Sequence, residues 1–147
     1  MKISTRVRYG VRLMLVLASN HQKGPVLLKN IAREEEISEK YLSLIVLPLK
    51  AKGLIHATRG SRGGYLLAKP PEQITLKEIA EILDGETCLV NCVKDKALCP
   101  RATLCASREL WAVLGTRISE VLNSFTLADM LRVKREKLEG AGLNYAV

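Results

Sequence analysis

Residues 28 to 67 read LKNIAREEEISEKYLSLIVLPLKAKGLIHATRGSRGGYLL, and this stretch decides the fold. Its opening segment, Leu28 to Glu35, turns Ile31 and Ala32 inward and predicts a short helix. Ile37 follows, and Ser38 with Glu39 opens a second helix whose inward positions are Tyr41, Leu42, Ile45 and Leu49. Two short helices joined by a turn of a few residues form a helix-turn-helix unit. Pro48 removes one backbone donor from the second helix, so a bend or a loosened last turn is expected there. Gly53 is expected to end it as a left-handed cap. Leu54 to Thr58 alternates as a strand does, and Tyr65-Leu66-Leu67 reads as its partner. Between them, Arg59-Gly60-Ser61-Arg62-Gly63-Gly64 forms the Gly-rich, basic tip of a hairpin. A phosphate-binding loop does not fit, because no Gly-Lys-Ser/Thr follows and both flanks read as strands.

Upstream, Ser4 or Thr5 caps a helix running to about Asn20, with Val7, Val11, Met14, Leu15 and Ala18 at helical spacing and Arg6, Arg8 and Arg12 off that stripe. The segment His21 to Pro25 breaks it. Helix, helix, helix, hairpin is the winged-helix order. Downstream, Lys69-Pro70-Pro71 is a stiff connector to a helix ending near Leu83, with Thr75 as N-cap and Glu78 completing a capping box. Residues 86 to 106 have no clean period and carry all four cysteines, Cys88, Cys92, Cys99 and Cys105. A long helix is expected from about Ser107 to Ser124, with Leu110, Trp111, Leu114, Ile118, Val121 and Leu122 on one wide apolar stripe. Thr126 caps a last helix to about Lys137, followed by a loose tail. The expected fold is therefore mostly α with a small β-hairpin wing, a winged helix-turn-helix plus a long dimerisation helix. The divisions are a DNA-binding domain at 1–72, a linker helix, cysteine loop and dimerisation helices at 73–137, and a flexible tail at 138–147. The long helix is too apolar for so small a body and is expected to pair with its copy in a homodimer; an intramolecular core helix is the alternative.

Charge follows the same division. Residues 1–77 hold 14 Lys/Arg against five Asp/Glu, whereas residues 78–147 hold nine against ten. A basic N-terminal half points to a polyanion, and double-stranded DNA with a palindromic operator is the partner that a two-fold winged-helix dimer implies. No apolar run is long enough to span a membrane and no export signal is visible, so a cytoplasmic location is expected. In a reducing compartment, four clustered thiols indicate metal or redox chemistry more than structural disulfides. Their spacing, Cys88-x3-Cys92-x6-Cys99-x5-Cys105, lacks the close pairs of a zinc ribbon and suits soft thiolate ligation of an iron–sulfur cluster. Lys94, Lys96 and Arg101 lie near enough in sequence to lower thiol pKa values and offset cluster charge. There is no Ser/His/Asp set, no carboxylate pair and no nucleotide fingerprint, so an enzyme is not expected.

The stretch Ile37-Ser38-Glu39-Lys40-Tyr41-Leu42, the wing Arg59 to Leu67 and the segment Cys99-Pro100-Arg101…Cys105…Leu110-Trp111 resemble the Rrf family of bacterial winged helix-turn-helix regulators, in its iron–sulfur branch of IscR, NsrR and RirA types. The resemblance spans residues 1 to about 135. It implies that the third helix enters the major groove through Ser38, Lys40, Tyr41 and Ser43. It also implies that the wing, with Arg59, Ser61 and Arg62, reaches the minor groove, while Ser4 and Thr5 hold the DNA backbone. Tyr41 on the inward stripe equally suits core packing, and Arg59 and Arg62 equally suit a solvated turn. The IscR type has a Glu where this chain has Ser43. The resemblance places Cys92, Cys99 and Cys105 on three ligand positions of a [2Fe–2S] or [4Fe–4S] cluster. At the two family positions for a fourth ligand this chain has Arg108 and Arg8, which cannot ligate. Cys88 is a substitute if residues 88–92 form a helical turn; His21 and His56 are others. The function this implies is transcription regulation with operator affinity controlled by the cluster. A metal-free thiol redox sensor of the same fold and an iron–sulfur carrier or electron-transfer protein are the alternatives.

Overall fold

In a computed structural model that describes residues 3–141, the helix-turn-helix is built as its sequence dictates. Helix α1 (Thr5–Ser19) is N-capped by Ser4, whose Oγ accepts from the Val7 N–H. Helix α2 (Leu28–Glu35) ends at Glu36 in the left-handed region, φ 53°. Helix α3 (Glu39–Ala51) starts from Ser38, whose Oγ accepts from the Tyr41 N–H at 3.1 Å. Ile37 just before the cap and Leu42 in the first turn are both buried in the core, a staple that sets the angle at which the chain enters α3.

Helix α3 continues through Pro48 for three more residues. Its end closes with the Leu54 N–H on the Leu49 carbonyl and the Gly53 N–H on the Lys50 carbonyl. Gly53 takes φ 73° there, which a side chain would strain, and Leu49 and Leu54 are both fully buried.

Strands β1 (Ile55–Thr58) and β2 (Gly64–Leu67) pair antiparallel, with Ile55 opposite Leu67 and Thr58 opposite Gly64. The hairpin is extended by a bridge that the sequence did not announce. Val26, between α1 and α2, exchanges both backbone hydrogen bonds with Tyr65 at 2.8 Å. Gly64 makes this approach possible. Its φ is 151°, and a Cβ there would lie 2.6 Å from the Val26 carbonyl oxygen.

After a single 3-10 turn at Pro71–Gln73 comes α4 (Leu76–Asp84). Thr75 caps it through the Glu78 N–H, but the expected capping box does not close. The Glu78 carboxylate turns instead to Lys69 Nζ at 2.8 Å, a charged partner outcompeting a backbone donor. The 86–106 segment carries one short helix, α5 (Asn91–Lys94), and a 3-10 turn at Lys96–Leu98. Helix α6 (Ala106–Ser124) begins one residue earlier than expected. Helix α7 (Leu127–Gly140) is closed by a capping box between Thr126 and Asp129 and takes in Glu139 and Gly140, which the sequence put in the tail. The rest of that tail, 142–147, lies outside the described residues.

One core joins these parts. It takes Leu13, Met14 and Leu17 from α1, Ile31 from α2, Leu42, Ile45 and Leu49 from α3, and Leu54, Ile55 and Leu67 from the hairpin. Ile74, Ile79, Leu83 and Leu127 complete it from the C-terminal side. The N-terminal ends of α4 and α7 are clasped to each other: Thr75 bridges Thr126, the Leu76 N–H meets the Phe125 carbonyl and the Leu127 N–H meets the Ile74 carbonyl. Among the described residues no helix is long and apolar enough to cross a membrane.

The Gly64 approach gives a direct test. Gly64→Ala forces either the hairpin or the Val26 strand to move, and should cost about 2 kcal/mol of stability in urea unfolding. An unchanged midpoint would show that the bridge to Val26 is not held at this distance.

Candidate nucleic-acid interface and cysteine loop

The body beneath α3 is fixed by a small polar network that starts on α1. Arg12 Nε donates to Glu35 Oε2 at 2.7 Å, and its Nη2 donates to the Glu35 carbonyl at the end of α2. A cation at a helix C-terminus satisfies open carbonyls and meets the negative end of the helix dipole. The same guanidinium lies 5.5 Å from the ring centre of Tyr9, and Tyr9 meets Tyr41 edge to face at 5.7 Å. Arg12 is therefore structural, although by sequence alone it is one more basic residue of a basic half. Tyr41 is half-buried with its ring against Tyr9, so packing is part of its role.

Of the residues expected to meet DNA, Ser38 and Lys40 are exposed on the first turn of α3. Ser43 is half-buried and its hydroxyl donates to the Lys40 carbonyl at 2.7 Å, leaving it an acceptor on its outer side. Thr5 Oγ1 accepts from Arg8 Nη2 at 3.1 Å, and Ser4 Oγ accepts from the Val7 N–H, which leaves its O–H to donate. Arg59, Ser61 and Arg62 all stand exposed at the hairpin tip. Among the described residues none of Lys40, Arg59 and Arg62 makes an ion pair, so their charge faces outward uncompensated. The Tyr9–Tyr41 contact sets the first turns of α1 and α3 side by side, and β1 leads directly from α3 into the wing.

The cysteine loop is assembled differently from the expectation. Residues 88–92 are not one helical turn: Val90 is extended and α5 begins at Asn91, so Cys88 and Cys92 share no helical face. The Cys88 thiol donates to the Val90 carbonyl at 3.1 Å. Cys92 sits in α5, Cys99 follows the 3-10 turn, and Cys105 is the N-cap residue of α6. All four are half-buried free thiols. Among the described residues no three of His, Cys, Asp or Glu converge on a metal-sized point. The donor set nevertheless suits an iron–sulfur cluster in kind, with soft thiols, half shielded, on a segment of short turns. His21 at the end of α1 and His56 on β1 belong to the winged part.

Arg108, which the sequence singled out only as a non-ligand, organises this loop. It is 9% exposed on the first turn of α6. Its Nε donates to the Cys92 carbonyl at 2.9 Å and its Nη2 to the Val93 carbonyl at 3.2 Å. The loop charges are distributed unevenly. Lys94 is paired with Glu86 at 2.8 Å, and that bond holds the Glu86 carboxyl below its ordinary range. The Cys105 thiol is pulled below the usual thiol range, chiefly by its hydrogen bond with Ser107, 3.2 Å away, then by the Arg108 backbone N–H and to a lesser extent by Arg101. A cleft of about 420 Å³ separates loop from helix, with Cys88, Val93, Trp111 and Gly115 among its walls.

Residues 3–133 match a family described as Rrf2, iron-dependent transcriptional regulator. The chain is 41% identical over 130 residues to the HTH-type transcriptional regulator CymR of Bacillus subtilis, covering 88% of this chain and 89% of that protein. The structure of IscR from T. potens superposes with a TM-score of 0.78 at 35% identity, covering 93% and 90% of the two chains. Staphylococcus aureus CymR in its oxidized form superposes with a TM-score of 0.72 at 37% identity, covering 89% and 96%. These likenesses agree with the mostly helical architecture, its two-stranded wing and its long C-terminal helices.

The lowered Cys105 thiol has a measurable signature. Alkylation by iodoacetamide, followed residue by residue, should show Cys105 reacting with a pH midpoint below that of an ordinary thiol. Ser107→Ala should move the midpoint up and slow the reaction at neutral pH; a midpoint indifferent to Ser107 would remove the assigned cause.

Proposed function

The chain belongs to the Rrf2 family of DNA-binding transcriptional regulators, and on that premise we propose that its operator affinity is controlled by an iron–sulfur cluster held on the cysteine loop. It is a regulator and not an enzyme. The observation that carries the reading is the placing of three half-buried thiols on separate short elements of one loop, at the foot of α6. Cys92, Cys99 and Cys105 would hold the cluster, [2Fe–2S] or [4Fe–4S], and Cys88 would join them only after leaving the Val90 carbonyl. When bound, the cluster supplies a link between thiolates that depends on iron supply and redox state. Gathering those three thiolates displaces α5 relative to the first turn of α6. The Arg108 bonds to the Cys92 and Val93 carbonyls carry that displacement into the helix.

Helix α6 is the proposed route to DNA. Leu110, Val113 and Val121 on it are each more than half exposed, and Trp111 and Leu114 are open as well. We assign this face to a second copy of the chain, giving a homodimer with two α3 helices on a palindromic duplex. Residues 1–72 then bind DNA while 73–137 sense and dimerise. That division is one of function, because Ile74, Ile79, Leu83 and Leu127 pack into the same core as α1 and α3. A cytoplasmic location follows from a partner that is chromosomal DNA. In this reading Ser4, Thr5, Ser38, Lys40, Tyr41 and Ser43 address the backbone and major groove, and Arg59, Ser61 and Arg62 address the minor groove.

A metal-free reading of the same fold is favoured by one observation: four free, half-buried thiols lie within one loop, and Cys105 Sγ is 3.2 Å from the Ser107 hydroxyl. Two thiols of the loop would then form a disulfide, passing two electrons and two protons to a peroxide.

Two experiments test these readings. Protein purified anaerobically should be brown, with iron and acid-labile sulfide in the same sample, and Cys92→Ala/Cys99→Ala/Cys105→Ala should be colourless. A triple variant that keeps its visible absorption would reject the ligand set. Colourless wild-type protein, even after anaerobic reconstitution, would move the mechanism to thiol oxidation. For the wing, Arg59→Ala and Arg62→Ala should each lower the slope of log affinity against log salt by about 1; an unchanged slope would make them solvated turn charges.

A further inference from the structure

Helix α3 buries Leu42, Ile45, Val46 and Leu49. The face directly opposite, at spacing i, i+4, i+7 and i+11, carries Lys40, Leu44, Leu47 and Ala51, all exposed. Leu44 is 55% exposed and Leu47 63%. Neither is part of the core or packed against it. The outermost line of this helix is therefore apolar for its last three members. Single exposed leucines need no explanation, but two in line on the helix that should read DNA do. The surroundings fix the partner. Lys40 heads the line, Lys50 and Lys52 stand exposed near its end, and the exposed arginines Arg59 and Arg62 follow on the wing. An apolar line inside a basic frame is complementary to a polyanion that offers apolar groups in a groove. In B-DNA the major groove presents one such group, the C5 methyl of thymine.

We propose that Leu44 and Leu47 are base-reading residues that select T·A pairs through thymine methyl groups. The proposal rests on the DNA-binding reading of α3. Leu44 and Leu47 are three residues apart, about 4.5 Å along the helix axis. Base pairs repeat about every 3.4 Å, so the two side chains address neighbouring pairs. Ser43 beside them has its proton engaged by the Lys40 carbonyl, so it competes for no thymine oxygen.

The test starts with in-vitro selection from a random duplex library by the wild-type chain. Each thymine in the recovered duplex is then replaced by deoxyuridine, which removes only the C5 methyl, and affinity is read by fluorescence anisotropy. Wild-type protein should lose about fourfold at one or two positions of each half-site, the worth of one buried methyl. Leu44→Ala and Leu47→Ala should bind the thymine duplex more weakly and lose nothing further from deoxyuridine at the position each residue serves. Because both side chains are exposed, shortening them opens no cavity. Deoxyuridine tolerated everywhere, or an unaltered methyl dependence in the alanine variants, overturns the proposal and leaves DNA binding standing. Failure of the wild-type chain to enrich any duplex overturns DNA binding and this proposal together.

Discussion

The mutual setting of α1, α2 and α3 depends on one side chain that lies between them. Arg12 joins α1 to the C-terminal end of α2, and through Tyr9 it also shapes the pocket for Tyr41 on α3. An eight-residue helix such as α2 is marginal on its own, so its direction has to come from tertiary contacts. Ile31 and Ile37 supply the apolar part of that constraint, but apolar contacts are non-directional. The guanidinium supplies the direction, since its planar fork fits one orientation of the Glu35 carboxylate and carbonyl. Glu35 is largely shielded and Arg12 only partly, so the pair is less screened than the surface ion pairs elsewhere on the chain.

Most of the fold was readable because its signals are local. Ser4, Ser38, Thr75 and Thr126 each cap the helix they precede, and Gly53 ends α3 in the left-handed conformation that glycine permits. What escaped the sequence was non-local or competitive. Val26 has no strand signal of its own; it pairs with Tyr65 only because Gly64 leaves room. Glu78 has the spacing of a capping box, yet Lys69 nine residues away offers a full charge.

The candidate sites were legible to different degrees. A basic hairpin tip and a capped second helix are visible as residue types, and they stand on the surface where such residues were expected. The roles of Arg12 and Arg108 were not visible: Arg12 meets a carboxylate and a carbonyl of Glu35, 23 residues away, and Arg108 meets the main-chain carbonyls of Cys92 and Val93, which have no sequence signature. The exposed leucines of α3 were hidden for the opposite reason. A leucine inside a helical pattern reads as core, and only the burial of Leu42, Ile45, Val46 and Leu49 shows which face is left for Leu44 and Leu47.

The clasp at Thr75 and Thr126 gives the molecule an uncommon topology for its size. The chain departs at Leu76 and comes back at Phe125, and the two ends of that excursion are hydrogen-bonded to each other. Everything from α4 to the end of α6 is thus a closed circuit whose near side, α4, is bedded in the common core through Ile79 and Leu83, with α7 packed onto α1 behind it. Closing a circuit of this kind costs chain entropy that grows only logarithmically, by about 0.6 kcal/mol for each doubling of its length. Its far side is consequently free to be lengthened or shortened, while the clasp and the buried face of α4 keep its two ends in place. Tolerance to insertion and deletion is therefore uneven around this circuit, generous in the loop at 86–106 and small in α4, which shares its interior with α1 and α3.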